Sequence, residues 1–228
     1  MYQTYLLDLD NTILDFNAAE IRGFQKVIEF YEIKYIPGLL EQYKKINRNL
    51  WNQLEQGTIH REELFFTRFK LFFEELGKEI DGKEAELFYR EQLSNSPDLM
   101  PHAKEALTQL KQQGKKLYSA SNGVYSTQVQ RLKQAGIYQL FDGMFISEAI
   151  GSEKPDVNFF EHCFTHIIDF KKEETLMVGD SLTSDIQGAI HAGIDSCYFN
   201  HFHNSTYADS SVSKATYNIK ELPELLHL

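Results

Sequence analysis

The sequence has few cysteines, few basic residues and no long apolar run. Only two cysteines, Cys163 and Cys197, occur in 228 residues, and each lies alone, one in a predicted helix and one in a predicted strand. This pattern excludes a disulfide framework and a cysteine metal site, and it predicts two reduced core thiols in a cytoplasmic protein. No segment approaches the roughly 18 apolar residues of a membrane span, so no membrane partner is expected.

Basic residues are outnumbered by acidic ones. Lys and Arg total 23 against 33 Asp and Glu, which gives a formal net charge of −10. This balance argues against a nucleic acid polymer as partner, because phosphate backbones are bound by clustered Lys and Arg. A small phosphorylated metabolite stays compatible, since a metal ion and one or two cations can meet its charge locally. We expect a monomer or a homodimer. The first residues, MYQTYLLDLDNT, predict a strand and not a signal peptide.

Residues 17–96 predict four helices and no strand. Apolar residues recur there at helical spacing, and Pro37-Gly38, Gly57, Gly77 and Gly82 separate the stretches. The aromatic stripes within them predict the core of a small bundle and not a binding surface. The predicted helices span residues 20–33, 39–56, 62–76 and 83–93.

From residue 97 onward, predicted strands alternate with predicted helices. Strands are expected at 117–121, 144–147, 175–179, 196–199 and 216–219, with helices between them. Such alternation implies right-handed crossovers and a parallel sheet covered by helices on both faces. The predicted fold class is therefore α/β, with a doubly wound, mostly parallel sheet. Residues 1–16 and 97–228 form this core, and the helical segment 17–96 is inserted after the first strand.

Polar side chains mark four predicted strand ends. In a regular strand, residues two apart share one side, so Asp8 and Asp10 are expected to stand together. Close carboxylates repel each other unless a cation lies between them, and Asp180 adds a third acid that suits magnesium. Each segment alone has an ordinary explanation in turn or N-cap chemistry, but four in order at strand ends predict a site. These segments are Asp8-Leu9-Asp10, Ser121-Asn122-Gly123, Lys154-Pro155 and residues 179–185.

These segments resemble the four motifs of the haloacid dehalogenase (HAD) superfamily of hydrolases. Asp8-Leu9-Asp10-Asn11-Thr12 is similar to the first motif, DxDxT. The resemblance covers nearly the whole chain, because residues 17–96 lie where the superfamily's first type of cap is inserted into a Rossmann-like core. The other matches are Ser121 for the second motif, Lys154 for the third, and Gly179-Asp180 with Asp185 for the GDxxxxD form of the fourth.

The resemblance implies a phosphatase that forms an aspartyl-phosphate on Asp8. Asp10 would protonate the leaving oxygen and then take a proton from the attacking water. Mg²⁺ would be held by Asp8, the main-chain carbonyl of Asp10 and Asp180, with Asp185 as a ligand or close by. The groups implied to hold the substrate phosphate are Ser121, the backbone of Asn122, the adjoining Gly123 and the cationic Lys154.

Resemblances to individual subfamilies reduce the number of possible reactions and substrates. Asp10 favours phosphoryl transfer, because the dehalogenases carry a non-acid there, whereas a phosphoglucomutase-like reaction stays open beside hydrolysis. Residues 10–16, 43–51, 121–123 and 179–186 resemble the pyrimidine 5′-nucleotidases that act on nucleoside monophosphates with unusual bases. In that case Phe16 is the residue expected to stack on the base, while Trp51 is expected to pack between helices. Sugar phosphates stay open, because N-acylneuraminate-9-phosphate phosphatases share the Asp-Leu-Asp-Asn-Thr sequence.

Two non-enzymatic alternatives are weaker. A signalling receiver domain also phosphorylates an aspartate on a parallel sheet, but it is about half this length and lacks a helical insertion after the first strand. A catalytically inactive HAD-fold binding protein stays open, although all four motifs are intact.

Asn11 departs from the acid often found there in the nucleotidase subfamily, without an expected loss of activity. His201 and His203 have no third ligand in the pattern and predict an exposed loop.

Overall fold

The computed structural model describes residues 1–201 and 214–228. The chain forms two compact units, one made of residues 1–16 and 97–228 and the other of residues 17–96. His203 therefore lies outside the described residues. Within the described residues, no helix is both long and apolar enough to cross a membrane. Cys163 and Cys197 are buried free thiols.

Among its described residues, the first unit is built on one sheet of six parallel strands. These strands are β1 (Thr4–Leu7), β2 (Lys116–Ser121), β3 (Gly143–Ile146), β4 (Thr175–Gly179), β5 (Asp195–Phe199) and β6 (Tyr217–Ile219). Their order in the sheet is β3-β2-β1-β4-β5-β6, which confirms the predicted doubly wound α/β fold. The strand order reverses between β1 and β4, and the carboxyl ends of strands at such a point are where ligands bind in open α/β sheets.

The helical unit is a bundle with an aromatic core. It consists of α1 (Phe16–Phe30), α2 (Leu39–Glu55), α3 (Arg61–Glu75) and α4 (Gly82–Ser94). The Tyr43 and Phe69 rings stack with centroids 4.8 Å apart, joining α2 to α3. Trp51 and Phe65 meet edge to face at 6.0 Å. The aromatic stripes therefore pack against one another, as their spacing predicts, and Trp51 is part of this packing.

Helices cover both faces of the sheet in the first unit. They are α5 (Ala103–Gln112), α6 (Tyr125–Gln134), α7 (Ser147–Ile150), α8 (Val157–His166) and α9 (Gln187–Ala192). Successive residues of β1 point to opposite faces, so Leu7 packs with α5 and α6, whereas Leu6 packs with α8 and α9. Burial on both faces explains why the central strands are continuously apolar. The polar residues that the site needs are thereby confined to the strand ends.

Three local features differ from the sequence-based expectation. The first strand ends at Leu7 and does not continue to Asp10. The helix expected between the strands at 175–179 and 196–199 begins as a π-helical turn, Leu182–Ile186, which α9 follows. The short helix α7 was not predicted, because four residues are too few to show a helical period.

Candidate functional site

The loop after β1 separates the two acids of the first motif. The Leu9 carbonyl accepts hydrogen bonds from the N–H groups of Thr12, Ile13 and Leu14, which closes a tight turn. Asn11 adopts a left-handed conformation with φ of 62°, which asparagine tolerates better than most residues. Because the backbone is no longer extended here, Asp8 and Asp10 do not share one side of a strand.

Asp8 lies in a buried cluster organised by Lys154. The Lys154 ammonium donates to Asp8 Oδ1 at 2.8 Å and to Asp185 Oδ1 at 2.5 Å. Thr12 Oγ1 donates to Asp8 Oδ2 at 3.1 Å. A third acid, Asp180, completes the group, since carboxylate oxygens of Asp8, Asp180 and Asp185 lie within 4.8 Å of one another. We call Asp8, Asp180, Asp185 and Lys154 the acid cluster.

The end of β4 places Asp180 and Asp185 by local backbone chemistry. Ser181 accepts a hydrogen bond from the Ser184 N–H, so the serine is the N-cap of the π-helical turn. The Ser181 N–H donates to Asp185 Oδ2 at 3.0 Å. A side chain at Gly179 would overlap the Asp185 carboxylate, so the fourth motif needs glycine there. A carboxylate oxygen of Asp180 lies within 4.8 Å of oxygens of Asp8 and Asp185, so the three could share one cation.

The acid cluster carries more negative than positive charge. Burial raises the pKa of Asp8 to about 7, and repulsion from Asp185 and Asp10 adds to this, while Lys154 opposes it. Burial, with repulsion from Asp8 and Asp185, also holds the pKa of Asp180 well above its usual range. The pKa of Lys154 is raised by Asp185 and Asp8, although burial alone would lower it. Three acids around one lysine therefore present hard oxygen donors with uncompensated charge, which fits a bound Mg²⁺.

Lys154 is held in place by the side chain of Asn122. The Asn122 amide donates to the Lys154 carbonyl and accepts from the Lys154 N–H, both at 2.8 Å. The peptide bond between Lys154 and Pro155 is cis. Because the amide is engaged in this way, the Asn122 side chain positions the lysine, and the contact of its backbone with a phosphate group stays a prediction. Next to it, the Gly123 N–H donates to Ser121 Oγ at 3.1 Å.

Asp10 faces a different set of partners. Arg131 Nη1 donates to Asp10 Oδ1 at 2.5 Å, and Gln128 Nε2 donates to Asp10 Oδ2 at 2.6 Å. The expected grouping of the side chains of Asp8, Asp10 and Asp180 is therefore corrected to Asp8, Asp180 and Asp185, because β1 ends at Leu7. The metal contact that the resemblance implies for Asp10 uses its main-chain carbonyl and stays a prediction.

Gln128 and Arg131 were not predicted from the sequence. Both lie on α6 and are almost completely buried, each with 1% of its surface exposed. Their spacing of three places them on the same helix face, directly after the second motif. A buried polar pair at this spacing is a usable signal, but in the sequence it looks like the solvated face of a helix. Phe16, half-buried at the start of α1, stays a predicted substrate contact.

The fold and the acid cluster agree with the family comparison. The family model of haloacid dehalogenase-like hydrolases matches residues 2–193. The chain belongs to this hydrolase family.

Individual relatives indicate which kind of hydrolase within this family the chain is similar to. The HAD-hydrolase YfnB of Bacillus subtilis is 38% identical over 227 residues, which cover 100% of this chain and 95% of YfnB. Pyrimidine 5′-nucleotidase PynA of Streptococcus pneumoniae is 36% identical, covering 99% of this chain and 95% of PynA. Pyrimidine 5′-nucleotidase YjjG of Escherichia coli is 28% identical, covering 96% and 95%. A magnesium-bound crystal structure of YfnB matches with a TM-score of 0.92, covering 99% of this chain and 97% of that chain. The chain is thus a HAD phosphatase with 5′-nucleotidase relatives.

Proposed function

We propose that this chain is a Mg²⁺-dependent phosphomonoester hydrolase that acts through a phosphorylated Asp8 on pyrimidine nucleoside 5′-monophosphates. The observation that carries the proposal is the acid cluster, in which three carboxylates after β1 and β4 lie within 4.8 Å of one another and Lys154 pairs with two of them. The nucleotidase relatives PynA and YjjG support the substrate class.

Asp8, Asp180 and the main-chain carbonyl of Asp10 would hold the metal. When bound, Mg²⁺ supplies positive charge that lessens the repulsion between a carboxylate nucleophile and a phosphate dianion. Both oxygens of Asp185 accept hydrogen bonds, one from Lys154 and the other from the Ser181 N–H. We therefore assign Asp185 to orienting Lys154, beside the metal and not as its main ligand.

The chemistry proceeds in two displacements at phosphorus. A carboxylate oxygen of Asp8 forms a bond to phosphorus as the ester P–O bond breaks, and Asp10 donates a proton to the leaving nucleoside oxygen. Water then attacks the aspartyl-phosphate, Asp10 takes its proton, and inorganic phosphate leaves Asp8 free again. The Lys154 ammonium, 2.8 Å from Asp8 Oδ1, lies where it can also pair with a transferred phosphoryl oxygen.

The nucleophile is tested by Asp8→Asn with p-nitrophenyl phosphate and Mg²⁺. We expect a loss of at least about 10⁴-fold in turnover, because removing a nucleophile abolishes the covalent route. Asp169→Asn is the matched control, since Asp169 is exposed in the loop before β4, and it should retain full activity. Rapid acid quench and mass spectrometry should find the added phosphate on Asp8. Turnover by Asp8→Asn at the wild-type rate would reject the mechanism.

The substrate class is tested by a panel of phosphate esters. Pyrimidine nucleoside monophosphates should give the highest kcat/KM, ahead of purine nucleotides, sugar phosphates and glucose 1-phosphate. Asp10→Asn should slow nucleotide hydrolysis more than p-nitrophenyl phosphate hydrolysis, because nitrophenolate leaves without a proton. A preference for a sugar phosphate would reject the nucleotidase assignment and keep the phosphatase mechanism.

A further inference from the structure

We propose that Gln128 is a positioning residue that fixes the acid/base Asp10 and the phosphate-binding Ser121 together, with Arg131 setting the orientation of its amide. The proposal rests on the proposed function, because it assigns Gln128 a part in the reaction of the same site. Gln128 and Arg131 are buried polar residues outside the acid cluster, and this role explains why they are buried there.

Gln128 joins the first and second motifs through one nitrogen. Its Nε2 donates to Asp10 Oδ2 at 2.6 Å and to Ser121 Oγ at 3.1 Å. An amide NH₂ group has two hydrogens, so both bonds can form at once. The residue thereby ties an acid in the loop after β1 to a hydroxyl at the end of β2.

Arg131 determines which way the Gln128 amide faces. Arg131 Nη1 donates to Gln128 Oε1 at 3.3 Å as well as to Asp10 Oδ1 at 2.5 Å. A guanidinium only donates and a carboxylate only accepts, so the amide oxygen must face Arg131 and the amide nitrogen must face Asp10. The reversed amide would set oxygen against a carboxylate and nitrogen against a guanidinium. The chemistry of the neighbours therefore fixes the orientation of the amide.

This arrangement also fixes the direction of the Ser121 hydroxyl proton. A serine hydroxyl accepts two hydrogen bonds and donates one. Ser121 Oγ accepts from Gln128 Nε2 and from the Gly123 N–H, both at 3.1 Å. Its two acceptor positions are then filled, and its proton is left to donate. A donated proton is what a phosphate oxygen requires, so Gln128 prepares Ser121 for an anion.

The packing around Gln128 shows that its place is built into the second motif. A Cβ atom at Gly123 would lie 2.5 Å from Gln128 Nε2 and 2.9 Å from its Cγ, so only glycine leaves room for this side chain. Gln128 is 1% exposed, and burying an amide costs free energy unless its hydrogen bonds are made. The requirement for glycine in Ser121-Asn122-Gly123 follows in part from the position of Gln128.

A purely structural role for Gln128 makes a different prediction from a positioning role. If the amide only satisfies buried groups, its loss lowers stability and affects all substrates alike. If it positions Asp10, its loss slows substrates with poor leaving groups most, because these need the proton from Asp10. If it directs the Ser121 hydroxyl, its loss also weakens the binding of inorganic phosphate.

The test compares Gln128→Leu and Gln128→Glu with Gln130→Leu in the full-length protein with Mg²⁺. Leucine removes both hydrogen bonds, and glutamate offers at most one donor in the same shape. We expect kcat/KM for uridine monophosphate to fall by about 100-fold and that for p-nitrophenyl phosphate by about tenfold, within the range of a general acid. The inhibition constant of inorganic phosphate should rise several-fold. Gln130→Leu, exposed on the same helix, should match the wild type in every measurement.

Two results would overturn the proposal. One is an equal loss on both substrates with an unchanged phosphate inhibition constant, in variants that melt close to the wild type. The other is full activity of both Gln128 variants. The glutamate variant decides the matter if the leucine variant does not fold. Failure of the proposed function is recognised separately, because it appears as turnover by Asp8→Asn whatever Gln128 does.

Discussion

The two units of this chain each bury a cluster of charged side chains, and the two clusters differ in charge balance. In the helical unit, Arg68 forms two bonds to the Glu86 carboxylate, at 2.7 and 2.9 Å, and Arg90 adds a third at 2.6 Å. Asn47 accepts from Arg68 at 3.1 Å, so the guanidinium is satisfied on a further side. In the acid cluster, Lys154 pairs with Asp8 and Asp185, and among the described residues no ion pair joins it to the third carboxylate, Asp180.

This difference separates a structural ion cluster from a functional one. The Glu86 carboxylate holds the pKa of Arg68 above its usual range although burial would lower it, so the pair is stable as it stands. Burial holds the pKa values of Asp8 and Asp180 above the usual value of an aspartate, because too little positive charge lies next to these two carboxylates. A buried site that is destabilised in its charged form is typical of places that bind a ligand or carry out chemistry. The proposed Mg²⁺ would complete the acid cluster, whereas the cluster around Arg68 needs no cation.

Breaking the cluster around Arg68 should have the largest effect on stability. Arg68→Met leaves Glu86 buried with Arg90 as its remaining partner, and we expect a loss of about 3–5 kcal/mol in the free energy of unfolding. Lys70→Met on the same helix removes an exposed pair with Glu74 and should change it by less than about 0.5 kcal/mol. Urea denaturation measures both. Similar losses in the two variants would contradict the contrast drawn between buried and exposed pairs.

Relieving the unbalanced cluster should have a smaller effect of opposite sign. In the presence of a chelator, Asp180→Asn removes one repelling charge, and we expect it to stabilise the protein by about 1–3 kcal/mol. Thermal unfolding in EDTA measures this gain, and Asp169→Asn serves as the control at an exposed site. A destabilised Asp180→Asn would show that the three acids are not in repulsion.

The pH dependence of the metal-free protein tests the same excess of negative charge at Asp8. The pKa of Asp8 rises from 3.8 to about 7 on folding, so between these values the folded state binds the proton more tightly than the unfolded state. Stability therefore falls as pH rises through this window. Unfolding in EDTA at a series of pH values from 4 to 8 should show this slope, and Asp8→Asn should flatten it. A slope of the opposite sign would mean that Lys154 outweighs the desolvation of Asp8.

The architecture could be predicted from the sequence because its signals are local. The strand Thr175–Gly179 has a continuous apolar centre, Leu176 to Val178, and the apolar stripes of α2 and α3 repeat at helical spacing. The position of Lys154 was predictable only through its motif, since its contact with Asp8 spans 146 residues.

The sequence was less informative where the backbone departs from regular structure. Asp10 was expected beside Asp8, but the turn around Asn11 directs its carboxylate to α6. Gln128 and Arg68 have polar side chains on amphipathic helices, where the default expectation is exposure to solvent. Gln128 and Arg68 can be buried because the fold places hydrogen-bond partners, Ser121 and Glu86, next to them.

The most direct test of this account is calorimetric titration of the metal-free protein with Mg²⁺, because the charge imbalance of the acid cluster is what the mechanism depends on. We expect one site in the wild type, affinity weakened by at least about tenfold in Asp180→Asn, and wild-type affinity in Asp169→Asn. Equal Mg²⁺ affinity in the wild type and Asp180→Asn would contradict the account, since the ion would then lie away from these carboxylates.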